Sequence, residues 1–226
     1  MQKGFALTQL IFLPVLVFAV VIHECAHGIV AKWCGDDTAD REGRITLNPI
    51  KHIDLWGTII IPILLIVSNA GLMFGWAKPV PVNPNNFRSF KRDDIYVSMA
   101  GPASNFIIAI ISALLIAALM IALPQSESST GSMNGFSQFA SSLLVYSIQI
   151  NLVLAVFNLL PIPPLDGSHV VASLLPDHLG DQYRSLGFMG MFILVAMMAT
   201  GVIGRVINPI LNQLFGLMAS LIQTLS

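Results

Sequence analysis

Charge is scarce in this sequence: only 10% of its 226 residues are charged, against about 25% in a typical soluble domain. Hydrophobic residues make up 55% of the chain, and its mean hydropathy is +0.77. A chain so poor in charge cannot cover a water-facing surface, which excludes an ordinary soluble domain and predicts an integral membrane protein. The formal net charge of -1 also argues against a nucleic-acid partner.

Two further features that the sequence lacks restrict the class of protein: paired cysteines and a signal-peptide cleavage site. The only cysteines are Cys25 and Cys34, whose spacing favours neither a disulfide framework nor a pair of metal ligands. The apolar run 5–22 resembles a signal peptide, but no small-x-small cleavage site follows it. We therefore expect this run to be a membrane-spanning helix.

Long apolar runs organise the chain. A helix needs about 20 residues to cross the hydrocarbon core of a bilayer. The runs of roughly that length are 5–22, 55–74, 95–123, 143–160, 186–204 and 206–226. They predict an all-α polytopic membrane protein with about five to six transmembrane helices. We expect one membrane-embedded domain over 1–226, with a core at about 5–175 and a C-terminal helical hairpin at about 185–226.

Two loop segments have the alternating pattern of short strands. Residues 44–48 alternate in this way, and so do residues 76–83. Pro79 and Pro81 exclude a central strand in the second segment, because proline cannot donate to a sheet ladder. The pattern predicts a short β-type re-entrant or edge segment.

The first apolar run leads directly into the sequence H-E-C-A-H. His23 and His27 are four residues apart, which places them on one helix face about 5–6 Å from each other. Two imidazoles at this spacing can bind one zinc ion, and the intervening Glu24 can act as a general base. Ionisable residues at the end of a membrane helix are costly, which favours a functional interpretation.

A catalytic zinc ion usually has three protein ligands. Asp166 is the strongest remaining candidate, because it follows a run that Pro161, Pro163 and Pro164 must break. Irregular backbone at membrane depth is tolerated where it lines a protein cavity. The alternative is an aspartate that caps the N-terminus of the next helix.

Three motifs together resemble those of the site-2 protease family of intramembrane metalloproteases. They are H-E-C-A-H at 23–27, A-G-P-A-S-N at 100–105 and N-L-L-P-I-P-P-L-D-G at 158–167. The resemblance implies one Zn²⁺ per chain and hydrolysis of peptide bonds within or near transmembrane segments of membrane-protein substrates. It implies zinc ligands at His23, His27 and Asp166, a catalytic base at Glu24, and Asn105 beside the active site. The chain resembles the minimal form of the family, without a PDZ or CBS domain, and differs by Ser168 where many members have glycine.

Other residues are candidates for contact with a substrate. We expect Asn105 to hydrogen-bond the developing oxyanion or the substrate backbone, and Asn158 to bond the broken backbone or the substrate. An open strand edge at Val80 and Val82 would pair with an unwound substrate. His169 follows Asp166 closely, so it is a candidate for contact with a metal ligand without binding the metal itself.

Two non-proteolytic alternatives remain at this point. Histidine and aspartate in membrane helices also mark ion pathways, so a metal-binding or transport protein is the rival class. An inactive relative that serves as a binding module is the other. Glu24 distinguishes a protease from a protein that only binds metal, because metal binding alone does not need a base next to a ligand.

Loop charge predicts the orientation in the bilayer. Loops 32–54 and 75–94 carry Lys and Arg, and loop 124–142 has neither. The positive-inside rule places the first two loops in the cytosol and the third outside, with the N-terminus outside and the C-terminus cytosolic. The active site then lies toward the cytosolic side.

With this orientation, Asp166 lies on the same side of the membrane as the two histidines only if the run 55–74 enters and leaves the bilayer on one side. We therefore predict that this run does not span the membrane. Gly57, Pro62 and Gly71 are the positions at which it would bend.

Overall fold

The computed structural model describes residues 2–68, 75–122 and 135–226, and these residues form a helical bundle. The helices within them are α1 (Gln2–Cys34), α2 (Thr38–Arg41), α3 (Ile61–Val67), α4 (Phe90–Ala122), α5 (Gly135–Asn158), α6 (Asp166–Leu174), α7 (Asp177–Ser185), α8 (Gly187–Ala199) and α9 (Val202–Leu225). Short 3₁₀ turns form at Pro49–His52 and Pro84–Asn86, and a π-helical segment, Leu55–Ile60, leads into α3.

Within the described residues, four helices are long and apolar enough to cross a membrane. They are α1 from Ile11 onward, α4, α5 from Ser137 onward, and α9. The bent pair α7 and α8, whose axes differ by 65°, adds a fifth if it is counted as one span. The all-α expectation is thus confirmed, and the number of spans agrees roughly with the expected five to six.

The break between the two C-terminal apolar runs lies at Gly201, and not between residues 204 and 206 as expected. Gly201 adopts a left-handed conformation with φ of 72°, which ends α8 at Ala199 and starts α9 at Val202. Glycine occupies such a conformation without the steric cost that a Cβ would add. The apolar run 186–204 is therefore not one continuous helix.

The expected β-type segment does not form among the described residues. Residues 76–83 are extended, but their backbone groups bond to side chains and loops instead of a neighbouring strand. Lys78 N–H donates to the carbonyl of His52, and the N–H of Val80 donates to Glu24. Residues 45–47 form bends, and the carbonyl of Thr46 accepts from the His52 side chain. The strand expectation was wrong because loop contacts satisfy the groups that a ladder would use.

The two ends of the apolar run 55–74 lie side by side. The N–H of Trp76 donates to the carbonyl of Gly57 at 3.1 Å, and the Thr58 hydroxyl donates to the carbonyl of Trp76 at 2.9 Å. Residues 69–74 lie outside the described residues. The helical part, 55–67, would be about 20 Å long, which is shorter than a hydrocarbon core of about 30 Å. This geometry supports a run that does not span.

Helix α4 lies at the centre of the bundle and packs against α1, α5, α6 and α9. Ala109 and Ala113 of α4 are fully buried against Leu152 of α5. Small residues let membrane helices approach closely, which brings α4 and α5 into contact along their length. The residues that α4 presents to α1 are thereby held in fixed positions.

The chain between α5 and α6 turns sharply. The proline-rich loop ends α5 at Asn158, and α6 begins at Asp166. A Cβ on Gly167 would lie 2.6 Å from the carbonyl oxygen of Leu160, so only glycine allows α6 to start against the end of α5. This turn carries Asp166 back toward α1.

Candidate metal centre

The three residues expected to bind zinc meet at one point. Nε2 of His23 and Nε2 of His27 are 3.1 Å apart. Oδ2 of Asp166 lies 3.2 Å from the first of these nitrogens and 3.4 Å from the second. Asp166 occupies the first turn of α6, and Leu165 holds the N-cap position, so the alternative of a capping aspartate is wrong.

Hydrogen bonds on the far side of each ring define the tautomers. Nδ1 of His23 lies 2.6 Å from Oδ1 of Asn105, and Nδ1 of His27 lies 2.7 Å from the carbonyl oxygen of Val97. Both partners are acceptors, so each Nδ1 carries a proton, and in the neutral imidazole the lone pair is then on Nε2. Each Nε2 then directs a lone pair at the common point.

A cation satisfies this arrangement. Two imidazole nitrogens and a carboxylate oxygen converge on one point, and Oδ2 of Asp166 is buried without a hydrogen-bond partner among the described residues. Ligand atoms bonded to one tetrahedral zinc ion at about 2.0–2.1 Å lie about 3.3–3.4 Å apart. The observed separations of 3.1, 3.2 and 3.4 Å are close to those edges. The donor set therefore fits zinc.

Gly101 of α4 borders the point where the three ligand atoms meet. A Cβ on this residue would lie 2.5 Å from Nε2 of His23 and would overlap Nε2 of His27. Real Cβ atoms do not approach other atoms so closely, so any other residue would displace the imidazoles. Glycine is required here by the close approach of α4 to the ligands, which the sequence motif alone does not explain.

Glu24 faces the same cavity as the ligands. This cavity has a volume of about 570 Å³ and lies among α1, α4, α5, α6 and the loop residues 75–84. Oε2 of Glu24 accepts a hydrogen bond of 2.9 Å from the N–H of Val80. A carboxylate next to, but not among, the ligand atoms is placed as a general base would be.

Hydrogen bonds hold the extended segment, residues 76–83, beside the cavity. One guanidinium nitrogen of the buried Arg44 donates to the carbonyls of Lys78 and Pro79, both at 3.1 Å. At the other end, the N–H of Asn83 donates to Asp36 at 2.7 Å. The segment thus lies beside the candidate metal centre, although it is not a strand.

The structure separates the remaining candidates into two environments. Val80, Val82 and Asn158 line the cavity, and the Asn158 amide donates to the carbonyl of Leu154 at 3.0 Å. Asn105 is fully buried under His23, where its Oδ1 faces Nδ1 of that ring. Its role as a substrate contact stays a prediction, and its present bonds instead orient the ring of His23.

Sequence reasoning did not identify the residues that surround His169. This histidine lines the cavity, and its Nδ1 lies 3.4 Å from Oδ1 of the buried Asp94. Oδ2 of Asp94 accepts from the Ser173 hydroxyl at 2.6 Å and from Arg184 at 3.1 Å. The only signal in the sequence was a charged cluster before an apolar run, which is also typical of an ordinary membrane boundary.

The fold and the site together define a membrane metalloprotease. The chain belongs to peptidase family M50, whose family model matches residues 11–198. The resemblance to the site-2 protease family is thereby confirmed.

Two curated proteins are similar to this chain. "Putative zinc metalloprotease YwhC" of Bacillus subtilis is 40% identical over 204 residues, which is 88% of this chain and 87% of that protein. "Putative zinc metalloprotease Rip2" of Mycolicibacterium smegmatis is 26% identical over 192 residues, or 84% of this chain and 66% of that protein. No solved structure matches the chain significantly.

Proposed function

We propose that this protein is an endopeptidase that hydrolyses peptide bonds within or near transmembrane segments of membrane-protein substrates, as in regulated intramembrane proteolysis. The observation that carries the proposal is the cavity that contains His23, His27, Asp166 and Glu24. It opens among helices that are long and apolar enough to cross a bilayer. His23 lies about 16 Å along α1 from the helix end at Cys34, so the chemistry is placed well inside the bundle.

Each residue has a defined task in this proposal. His23, His27 and Asp166 hold one zinc ion per chain. The ion, when bound, supplies Lewis-acid polarisation of the scissile carbonyl and lowers the pKa of its water. Because Val80 N–H holds Oε2 of Glu24, Oε1 is the atom that takes the proton from the attacking water and returns it to the leaving amine.

Two further contacts with the substrate follow from the cavity. The amide of Asn158 points its remaining N–H toward the oxygen of the reacting carbonyl. A locally unwound substrate lies along residues 76–83, with Val82 in contact with it. The lipid bilayer surrounds the bundle and delivers the substrate helix laterally.

Glu24 also favours hydrolysis over metal transport. Its carboxylate lies outside the ligand cluster of His23, His27 and Asp166, yet it is held in place by a backbone amide. A transport site would use that carboxylate as a ligand or would not need it.

Comparison of membrane-protein fragments in cells tests the function. Cells that express the wild-type protein should contain fragments cut inside transmembrane segments, and cells that express Glu24→Gln should lack them. The side-chain carbonyl of the introduced glutamine still accepts from the N–H of Val80, so this change removes the base without releasing the segment. Identical fragment profiles from the two proteins, with zinc bound to both, would exclude the protease.

A photo-crosslinker tests the docking of the substrate. It should capture substrate from position 82, which lines the cavity, and not from Trp33, which is 70% exposed on another face. Equal capture at both positions would contradict docking along residues 76–83.

A further inference from the structure

A chain of buried polar side chains runs from His23 into the interior of the bundle. Oδ1 of Asn105 faces Nδ1 of His23 at 2.6 Å, and Nδ2 of Asn105 donates to Oδ1 of Asn151 at 2.8 Å. Nδ2 of Asn151 donates to the backbone carbonyl of Ser147 at 2.8 Å. Asn105 and Asn151 are 0% and 1% exposed, so neither reaches the cavity or the lipid.

Two buried amides between membrane helices are costly. An amide that loses its hydrogen bonds in an apolar environment is strongly destabilising, and apolar residues could pack α4 against α5 without that risk. Polar residues inside membrane helices are therefore candidates for function. Among the described residues, no hydrogen bond joins Asn151 to His23, His27 or Asp166, so we expect any role that it has in the metal centre to be exerted through Asn105.

Backbone carbonyls fix the direction of every hydrogen bond in this chain. A carbonyl oxygen only accepts, so the Asn151 atom that faces the Ser147 carbonyl must be its NH₂ group, and its Oδ1 must face Asn105. In the same way Nδ2 of Asn105 faces both that Oδ1 and the carbonyl of Ala19, at 3.3 Å. The amide of Asn105 is consequently held with its oxygen toward His23.

We propose that Asn151 is a positioning residue for the metal centre, which acts by fixing the amide of Asn105 and thereby the tautomer of His23. This inference rests on the proposed zinc site. Without Asn151, the Asn105 amide is held by Ala19 alone and can rotate to present an N–H to Nδ1 of His23. That orientation stabilises the tautomer with hydrogen on Nε2, which cannot bind the metal through Nε2.

Zinc affinity of the purified protein, measured by competition with a chromogenic chelator, tests the proposal. Asn151→Leu should weaken zinc binding about 10- to 100-fold, the usual effect of losing an outer partner of a ligand. Leucine is favourable in a membrane helix, so the bundle should remain assembled. The Ser147 hydroxyl also lies 3.4 Å from Nδ2 of Asn151, so Ser147 is left unchanged. The matched control is Ser112→Ala, which removes a buried hydroxyl between the same two helices that is hydrogen-bonded to Ser147 and, among the described residues, to neither asparagine, and it should bind zinc as the wild type does.

A double-mutant cycle separates orientation from packing. If Asn151 acts through Asn105, Asn151→Leu should have no further effect on zinc affinity in the Asn105→Ala background. Additive losses would show that Asn151 acts independently, which would overturn the proposal. ¹⁵N chemical shifts of the His23 ring give a direct reading, because the metal-free wild type should carry hydrogen on Nδ1 and Asn151→Leu should show a mixture of tautomers.

The outcomes distinguish this inference from the function on which it rests. A wild-type protein that binds no zinc would remove the metal centre itself. A wild-type protein that binds zinc, together with an Asn151→Leu variant of equal affinity and unchanged His23 tautomer, would overturn only the positioning role.

Discussion

The backbone N–H of Val80 and the carboxylate of Glu24 are joined by a hydrogen bond of 2.9 Å. The bond connects the expected general base on α1 to the extended segment that covers the cavity. The buried Arg44 fastens the neighbouring carbonyls of Lys78 and Pro79, so the donor is itself held in place. The position of the base therefore depends on a loop that is distant in sequence.

Replacement of Val80 by proline removes this N–H and keeps an extended backbone between Pro79 and Pro81. A hydrogen bond to a charged group contributes about 1.5–3 kcal/mol, so we expect kcat to fall about 10- to 100-fold. The measurement is cleavage of a reconstituted transmembrane substrate. Bound zinc should be unchanged, because Val80 contacts no ligand atom in the part of the chain described here.

Val82→Pro is the matched control for this change. It places a proline in the same segment without touching the bond to Glu24, and it should alter KM at most. An equal fall of kcat in both variants would show that general distortion of the segment, and not the loss of one donor, lowers the rate.

Gly101→Ala should abolish zinc binding while the helix that carries it stays formed. The added Cβ would lie 2.5 Å from Nε2 of His23 and would push the imidazoles away from Asp166. Metal content of the purified protein, measured by atomic emission, checks this. The control is Gly216→Ala in α9, where an added Cβ meets no atom within 4 Å, so that variant should keep its zinc. Full zinc content in Gly101→Ala would contradict the close approach of α4.

The candidate ligand cluster could be predicted in large part because its signals are local. His23 and His27 share a helix face through their spacing alone, and the cost of ionisable groups in a membrane helix points to function. Asp166 was predictable because prolines must break the preceding helix just before it. Its distance to the histidines could be seen only in three dimensions.

The residues that support the ligands were harder to predict because their partners are distant in the chain. Asn151 resembles any polar residue in a helix until Asn105, on another helix, is placed against it. The strand expectation for 76–83 failed for a related reason. An alternating pattern indicates an extended backbone, but whether the N–H of Val80 meets a strand or the Glu24 side chain depends on tertiary packing.

Asp36 should contribute stability that disappears in acid. Burial alone would raise the pKa of its carboxyl, but hydrogen bonds from Thr38, Asn83 and Asn86 outweigh this effect and hold the pKa below its usual value. The contribution is therefore fully present above the unfolded-state pKa of about 3.9 and is lost as the pH falls through the lower folded-state pKa. Asp36→Asn should cost about 1–3 kcal/mol at neutral pH.

The thermal midpoint of detergent-solubilised protein, followed from pH 7 to pH 3, measures this contribution. The difference between wild type and Asp36→Asn should shrink as the pH falls below about 4. Asp40→Asn is the control, because Asp40 is half exposed and pairs with Lys32 at the surface, where an ion pair contributes about 0–1 kcal/mol. A difference that stays constant with pH would exclude the carboxylate of Asp36 as its source.

The last prediction concerns the path of residues 55–74 through the bilayer. Because Gly57 and Trp76 are hydrogen-bonded to each other, the run begins and ends at one place. We therefore expect cysteines introduced at positions 48 and 85 to react with a membrane-impermeant reagent from the same side. The native Cys25 and Cys34 are buried and would be replaced by alanine to give single-cysteine variants.

A cysteine at position 129, in the loop without Lys or Arg, provides the opposite-side reference. It should react from outside in intact cells, whereas positions 48 and 85 should react only after the membrane is opened. Opposite reactivity at 48 and 85 would make 55–74 a true crossing, which the bond between Gly57 and Trp76 does not allow. Equal reactivity at all three positions would instead contradict the orientation that loop charge predicts. Positions 48 and 85 must share one side, with position 129 on the other, for α5 to descend to the side on which α1 carries His23, where Asp166 meets it.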